Sequence, residues 1–469
     1  MTGAGEPRVG AEIAESPSVP EDPSASVSIQ RNFGLGVANG ALMKLAHAFE
    51  DPRTVLSVFV LRLTSSDAMV GLVAGIFMAG WYLPQFLVSS FVEHKKIKLP
   101  YYVLWSKIRI VSRIFMVLSV FVIGGSHPTL LFWTFLVLWT TTSLGAGFAG
   151  VPFLEIVAKT IPTKRRGSFF GVRRLIGGLL GIGAGFAAKE ILAPGFPAGF
   201  PMNYGILMAL ATVCAGVAIY AFSKVEEPLS PVSGKRRPFM EHLRDGFGLI
   251  GGDSNYRRFL LTRVLWSLTA MAFPFYAVYA VTYLGMPDSS VGLFLSLWVG
   301  GSLLADFIWS QVIDRSGSRA GLIGSAVLAL AAPIVACVVV FLPEGWGSAP
   351  GFLSRLVGTD DLDGRHVLFM STFILNSFAF DGRLISNMTY LLEMAPPERR
   401  PTYVGLANTV TFPLALLPAA GGVLAGLTSY VWLFAAAGGF AVIGLWAVKG
   451  LMVGTGARDR KEVVTVERR

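Results

Sequence analysis

The chain has 469 residues, 53% hydrophobic and only 14% charged, with a formal net charge of +10. Soluble domains carry about 25% charged residues, and many apolar runs here exceed the ~18 residues of a spanning helix, which excludes a large soluble enzyme. Two cysteines, each inside an apolar run, exclude a disulfide framework or a Cys-based metal site, and no zinc-finger, RRM or basic-zipper pattern accompanies the charge, so no nucleic-acid partner is expected.

Residues 1–30 are rich in Pro, Glu, Ser and Gly and lack the apolar stretch of a signal peptide; they read as a disordered tail. Twelve apolar segments follow, at about 33–62, 66–91, 100–124, 129–156, 168–191, 203–223, 258–284, 288–312, 319–342, 366–392, 402–425 and 428–450. Six precede a polar linker at 225–257, with a short surface helix expected near 239–248, and six follow it. The sequence therefore predicts an all-α membrane protein of twelve helices in two six-helix bundles, 31–224 and 258–450, closed by a tail at 451–469.

The first segment holds Lys44, His47, Glu50, Asp51 and Arg53 around Pro52. Lys44, His47 and Asp51 are spaced three and four apart and share one helix face, with Glu50 beside them. Pro52 removes a backbone donor and predicts a break. In the second segment Gln85 stands four after Trp81. The fourth carries Thr140–Ser143 at its middle, where hydroxyls commonly bond their own backbone. In the fifth, Gly177, Gly181 and Gly185 form a stripe for close helix packing. Trp266 stands early in segment seven, and Asn408 with Thr411 in segment eleven.

The tenth segment contains Asp381 and Arg383. There Asn376, Arg383 and Asn387 form one polar face, and Asp381 lies nearly opposite, directed at a neighbouring helix. The formal charges of segments one and ten would cost roughly 15–20 kcal/mol if all faced lipid unpaired, more than a typical stability of about 5–15 kcal/mol, so they must pair or meet water. Few charges are expected deep in the other helices, with Asp306 the main exception. The loop sequence Asp360-Asp361-Leu362-Asp363-Gly364 lacks the full acidic spacing and terminal Glu of a calcium loop and reads as a solvated loop.

Two features repeat. Pro162-Thr163-Lys164-Arg165-Arg166, reaching Gly171, is echoed 234 positions later by Pro396-Pro397-Glu398-Arg399-Arg400, reaching Gly405. Val70-Gly71-Leu72 is echoed by Val291-Gly292-Leu293, each after paired serines. Similar halves in a membrane chain suggest a transporter that rocks about a site between them. Lys and Arg concentrate on the side that carries both termini, the linker and these turns, so that side is expected to be cytoplasmic, in a cell inner membrane.

Six plus six spans, the basic central linker and the loop Asp314-Arg315-Ser316-Gly317-Ser318-Arg319 together resemble the major facilitator superfamily, and the run Asn39-Gly40 through Asp51-Pro52-Arg53-Thr54-Val55-Leu56 looks like a group of its bacterial members without an assigned substrate. The glycine that should open the loop is Ser310 here, and Glu93-His94-Lys95-Lys96-Ile97-Lys98 is its first-half counterpart. The resemblance covers about residues 31–450. It implies that segments one, four, seven and ten surround a central cavity, and that Glu93, Glu155, Arg165, Asp314, Arg315 and Arg319 belong to a gating latch on the cytoplasmic side. The family's antiporter element in segment five lacks its proline; Pro418-Ala419-Ala420-Gly421-Gly422 stands in segment eleven instead.

These readings lead to a secondary transporter, expected to be monomeric, moving a small solute by alternating access, with protons a candidate coupling ion. The candidate substrate or proton residues are Asn39, Lys44, His47, Glu50, Asp51, Gln85, Asn376, Asp381 and Arg383. Lys44 and Arg383 are the positive groups for an anionic or zwitterionic substrate. No cofactor or metal and no enzyme activity are expected. The alternative is a sensor or scaffold with a transporter fold and no flux.

Overall fold

The computed structural model describes residues 23–92, 95–229, 251–357, 362–396 and 399–452, with the side chains of 23–27, 85–92 and 401–402 excepted. Glu93, the Gln85 side chain and the linker helix expected near 239–248 lie outside that description. The helices, in order, are α1 (Pro23–Phe49), α2 (Val55–Thr64), α3 (Asp67–Val92), α4 (Leu99–Ile123), α5 (Pro128–Thr160), α6 (Thr163–Ile191) and α7 (Met202–Ser223). After the linker come α8 (Ser254–Thr269), α9 (Phe273–Thr282), α10 (Ser290–Ser316), α11 (Ser318–Phe341), α12 (Gly351–Val357), α13 (Gly364–Met394), α14 (Arg400–Thr411), α15 (Leu417–Leu427) and α16 (Tyr430–Lys449). No strand occurs among the described residues. α1 starts at Pro23, so residues 23–30, assigned above to the tail, are helical.

Three crossings are made of two helices each. α1 and α2 are interrupted around Pro52, where the proline denies the ladder a donor. The counterpart crossing α8–α9 is interrupted by a 3-10 turn at Ala270–Ala272, just before Pro274. A 3-10 turn beginning at Pro413 separates α14 from α15. Among the described residues, ten crossings are long and apolar enough to span a bilayer. The remaining two, α1–α2 and α13, are those that carry the charge clusters.

The packing pattern is duplicated. In the first half α4 packs on α5, α3 on α5, α1 on α6 and α7, and α4 on α7. The same pairs recur in the second half: α11 on α13, α10 on α13, α8 on α14 and α16, and α11 on α16. The halves meet through α6 against α10 and α3 against α15. Both contacts need glycine. A Cβ on Gly292 would stand 2.2 Å from the Gly185 carbonyl oxygen, and one on Gly71 would stand 1.9 Å from that of Pro418. The echoed tripeptides thus place their glycines at equivalent close approaches between halves. The stripe in α6 also packs as expected: Gly177 faces Ala41 and Lys44 of α1, and Gly181 faces Val299 of α10.

Candidate functional site

The bundle has a basic end, carrying Pro23, Lys95–Lys98 and the α5–α6 turn, and a far end, carrying the α1–α2 tip and the loops after α4, α9 and α11. The halves are tied together at the far end. Arg62 of α2 donates to Asp288 at 2.7 Å. Tyr430, which opens α16, donates its hydroxyl to Asp67, which opens α3.

Between the halves lies a cavity of about 450 Å³. α1 contributes Gly40 and Lys44; α6 contributes Phe170, Arg173 and Arg174; α10 contributes Trp298 and Ser302; α13 contributes Phe380 and Asp381. Its floor is Arg53, in the α1–α2 interruption. The Asp51 carboxylate accepts from the Arg53 backbone N–H at 2.8 Å and from its guanidinium at 2.5–3.2 Å. That anchor lays the guanidinium over the Trp298 ring, 4.1 Å from its centroid, a cation–π contact that reaches across the halves. Backbone groups freed by a helix break are tolerated in a membrane where they line such a space.

The walls are strongly cationic. Lys44 makes no ion pair or hydrogen bond among the described residues. Arg173 lies between Phe153 and Phe169, 4.6 and 5.0 Å from their centroids, and against Gly40. A Cβ at Gly40 would sit 1.9 Å from the Arg173 Nε, so any larger residue here would displace the guanidinium from this position. Arg174 crosses the interface to pair with both Asp306 of α10 and Asp381 of α13. Ser302 also donates to Asp381. Two carboxylates therefore share one guanidinium, and a proton on either would leave the other as its partner.

A second polar group forms behind α1, against α4. Glu50 pairs with Arg113 at 2.7 Å, both side chains 1% exposed. Arg109 meets the His47 Nε2 at 2.7 Å. Arginine has no acceptor, so Nε2 must accept and the neutral ring carries its proton on Nδ1.

Several expectations need correction. His47 and Asp51 do not share the cavity face with Lys44: His47 is turned to α4, and Asp51 is spent on Arg53. Asn39 donates to the Ala218 carbonyl at 2.9 Å and the Tyr102 hydroxyl at 3.2 Å, tying α1 to α7 and α4 away from the cavity. Asp381, expected to turn away, lines the cavity. Arg383, expected to meet substrate, is buried in its own half, donating to the Thr262 carbonyl and stacked 5.2 Å from the Trp266 centroid. Asn376 is buried against Tyr276 of α9. α13 presents Asp381 to the other half, so the residue opposite it on the helix must face inward. The expectation of few other deep charges also fails, since Arg109 and Arg113 are deeply buried in α4. Their spacing of four within an apolar run was the available signal.

At the basic end, Glu155 stands 3.8 Å from Lys98. Glu227, a linker residue by sequence, gathers this loop: it accepts from the Lys98 and Leu99 backbone N–H groups at 2.7–2.9 Å and from Lys159 at 2.7 Å. Arg165, Asp314 and Arg315 are exposed, and Arg319 donates to the Lys449 carbonyl in its own half at 2.7 Å. None of these described latch residues bridges the halves.

Residues 259–465 match the family model described as Major Facilitator Superfamily. An uncharacterized protein of Mycobacterium tuberculosis (strain ATCC 25618 / H37Rv) is 23% identical over 273 residues, 58% of this chain and 49% of the relative. The chain thus spans about half the length of the curated relatives it matches. Among solved structures, a point mutant of the nucleoside transporter NupG superposes with a TM-score of 0.66 at 14% identity, covering 89% of this chain and 100% of that one. A bacterial homologue of the iron transporter ferroportin in its inward-facing state gives 0.65 at 13% identity over 89% and 98%. Its outward-facing state gives 0.56 at 14% identity over 89% and 98%.

Proposed function

We propose that this chain, which has the Major Facilitator Superfamily fold and whose second half matches that family's model, carries a small anionic or zwitterionic solute through the cavity between its halves. The fold and the family match of the second half support transmembrane transport, and the cargo and mechanism are likewise our reading. The observation that carries it is the cavity wall: Lys44, Arg53, Arg173 and Arg174 converge on a space whose volume lies in the range of small-molecule sites. Asp51 and Asp306 anchor two of these cations, and Asp381 is the one carboxylate on the wall. The relatives' named cargoes, nucleosides and iron, differ in charge, so neither is transferred. A wall so rich in cations argues against a bare metal ion.

The basic end is the cytoplasmic one on the Lys/Arg rule. The far end, tied by Arg62–Asp288 and Asp67–Tyr430, is then external, and the cavity is open toward the cytoplasm. The higher score against the inward-facing relative agrees with this. Alternating access would break the far-end ties and close the basic end, bringing Asp314 and Arg315 of the second half toward the Lys98–Glu155 pair of the first.

Proton coupling belongs to the pair of carboxylates on Arg174. A substrate anion drawing on Arg174 would release Asp306 or Asp381 to take a proton. Asp51 and Glu50 are each held by an arginine, and His47 must first leave Arg109. The test is solute flux in proteoliposomes from a metabolite mixture, with proton movement followed alongside. The reading expects at least one anionic solute to move and Lys44→Ala to weaken its transport. Flux that ignores a pH gradient ends the proton-coupling part, and flux untouched by Lys44→Ala ends the assignment of the cavity.

A further inference from the structure

The polar group behind α1 borders a cavity of its own. It measures about 290 Å³ and lies inside the first half, between α1, α3, α4 and α5. It shares no lining residue with the cavity between the halves. One wall is aromatic: Phe77 stacks on Trp139 with centroids 5.9 Å apart, and Trp81 stands one helical turn further along α3. The other wall is cationic, built from Arg109 and Arg113, 7% and 1% exposed.

The charges here fall one anion short, and several buried polar groups around them, the Glu50 carboxylate included, make no hydrogen bond among the described residues. Glu50 neutralises Arg113. Arg109 donates a hydrogen bond to the neutral His47 ring, which carries no charge, so its own charge has no counterpart in the pocket. The Nε–H groups of both arginines and the hydroxyls of Thr142 and Ser143 are buried and make no hydrogen bond among the described residues. Protein interiors leave few such groups unpartnered. Water could fill the hydrogen bonds but not the charge, and an uncompensated cation inside a membrane helix costs several kcal/mol. The space equals the liquid volume of about ten waters at roughly 30 Å³ each, enough for a ring as well as a charged head.

We propose that this cavity is a second binding site, for an organic monoanion. Its carboxylate meets Arg109 and the Thr142 and Ser143 hydroxyls, and its apolar body, best a planar ring, packs against Phe77, Trp81 and Trp139. The site is complete within the first half and stands independently of the transport reading.

Benzoate is the probe, titrated calorimetrically into the purified full chain in lipid nanodiscs, with benzamide as its uncharged counterpart and chloride as a competitor. Saturable binding of benzoate but not benzamide is expected. Arg109→Gln should weaken it by about tenfold or more, the loss of a charge-assisted hydrogen bond. The double change Thr142→Val with Ser143→Ala should also weaken it, and it keeps the buried charges intact should Arg109→Gln fail to fold. Arg355→Gln, at an exposed residue that lines neither cavity, should leave the affinity unchanged. The proposal is overturned if benzamide binds as well as benzoate, if the hydroxyl variant retains full affinity, or if equimolar chloride displaces benzoate completely, which would mark a site for an inorganic ion only.

Discussion

Lys44 and His47 are three residues apart on α1, about 60° around the helix, and that angle separates two chemistries. Lys44 turns to the cavity between the halves; His47 turns to α4 and Arg109. The sequence spacing groups them on one face, which is correct within a turn but too coarse to assign neighbours. The same limit reverses Asp381 and Arg383, two apart on α13. What spacing alone could not supply was the partner on the facing helix, Arg174 for one and the Thr262 carbonyl for the other. Arg383→Ala should therefore lower stability while leaving the apparent affinity for solute close to that of the parent protein, readable by comparing thermal unfolding with flux kinetics. Glu50→Gln strands Arg113 in a site with almost no solvent, and breaking a buried pair from one side costs about 3–5 kcal/mol. Adding Arg113→Met to that variant should recover much of the loss. A double variant no more stable than Glu50→Gln alone would contradict the pairing.

At the level of helices, the duplicated pattern was legible because glycine carries it. Gly71 and Gly292 were found as parts of an echoed tripeptide, and each proves to be where the two halves touch backbone to backbone. Gly292→Leu would place a side chain into the Gly185 carbonyl and the start of the Lys189 backbone. It should separate α6 from α10, and reduced yield of folded protein in detergent gel filtration is the expected reading. The interruption at Pro52 was legible too, since proline has one way to affect a ladder. The interruption in α8–α9 was not read, although Pro274 offered the same signal. The start of α13 shows a different device. Asp363 caps it, accepting from the His366 backbone N–H at 3.1 Å and the Gly345 N–H at 2.8 Å. Burial pushes this carboxyl up, but those N–H groups and the His366 ring outweigh it and hold it below the ordinary carboxylate value. A carboxyl held low in the folded state contributes its cap above the unfolded value, near 3.9, and loses it as pH falls through the folded one. Asp363→Ala should cost about 0.5–2 kcal/mol at neutral pH, and the gap to the parent should narrow below about pH 4.

For the whole molecule, composition and run lengths were enough for twelve crossings in two sets of six, because a bilayer fixes helix length and leaves little choice. The site was harder to read. Arg173 and Arg174 fall early in the segment at about 168–191 and blend into the basic turn before it, yet α6 delivers both to the cavity. Arg109 and Arg113 stand four apart in an apolar run, a signal that marks them as unusual but does not name the partners they meet at the end of α1. The account of motion rests on the far-end ties being temporary. Its most direct test places cysteines at Arg62 and Asp288, with Cys214 and Cys337 replaced by serine, and joins the pair with a cleavable bifunctional thiol reagent in proteoliposomes loaded with a metabolite mixture. The account predicts that an anionic solute crosses before joining, stops when the far end is held shut, and crosses again after cleavage. Flux that continues unchanged through the joined protein would contradict it.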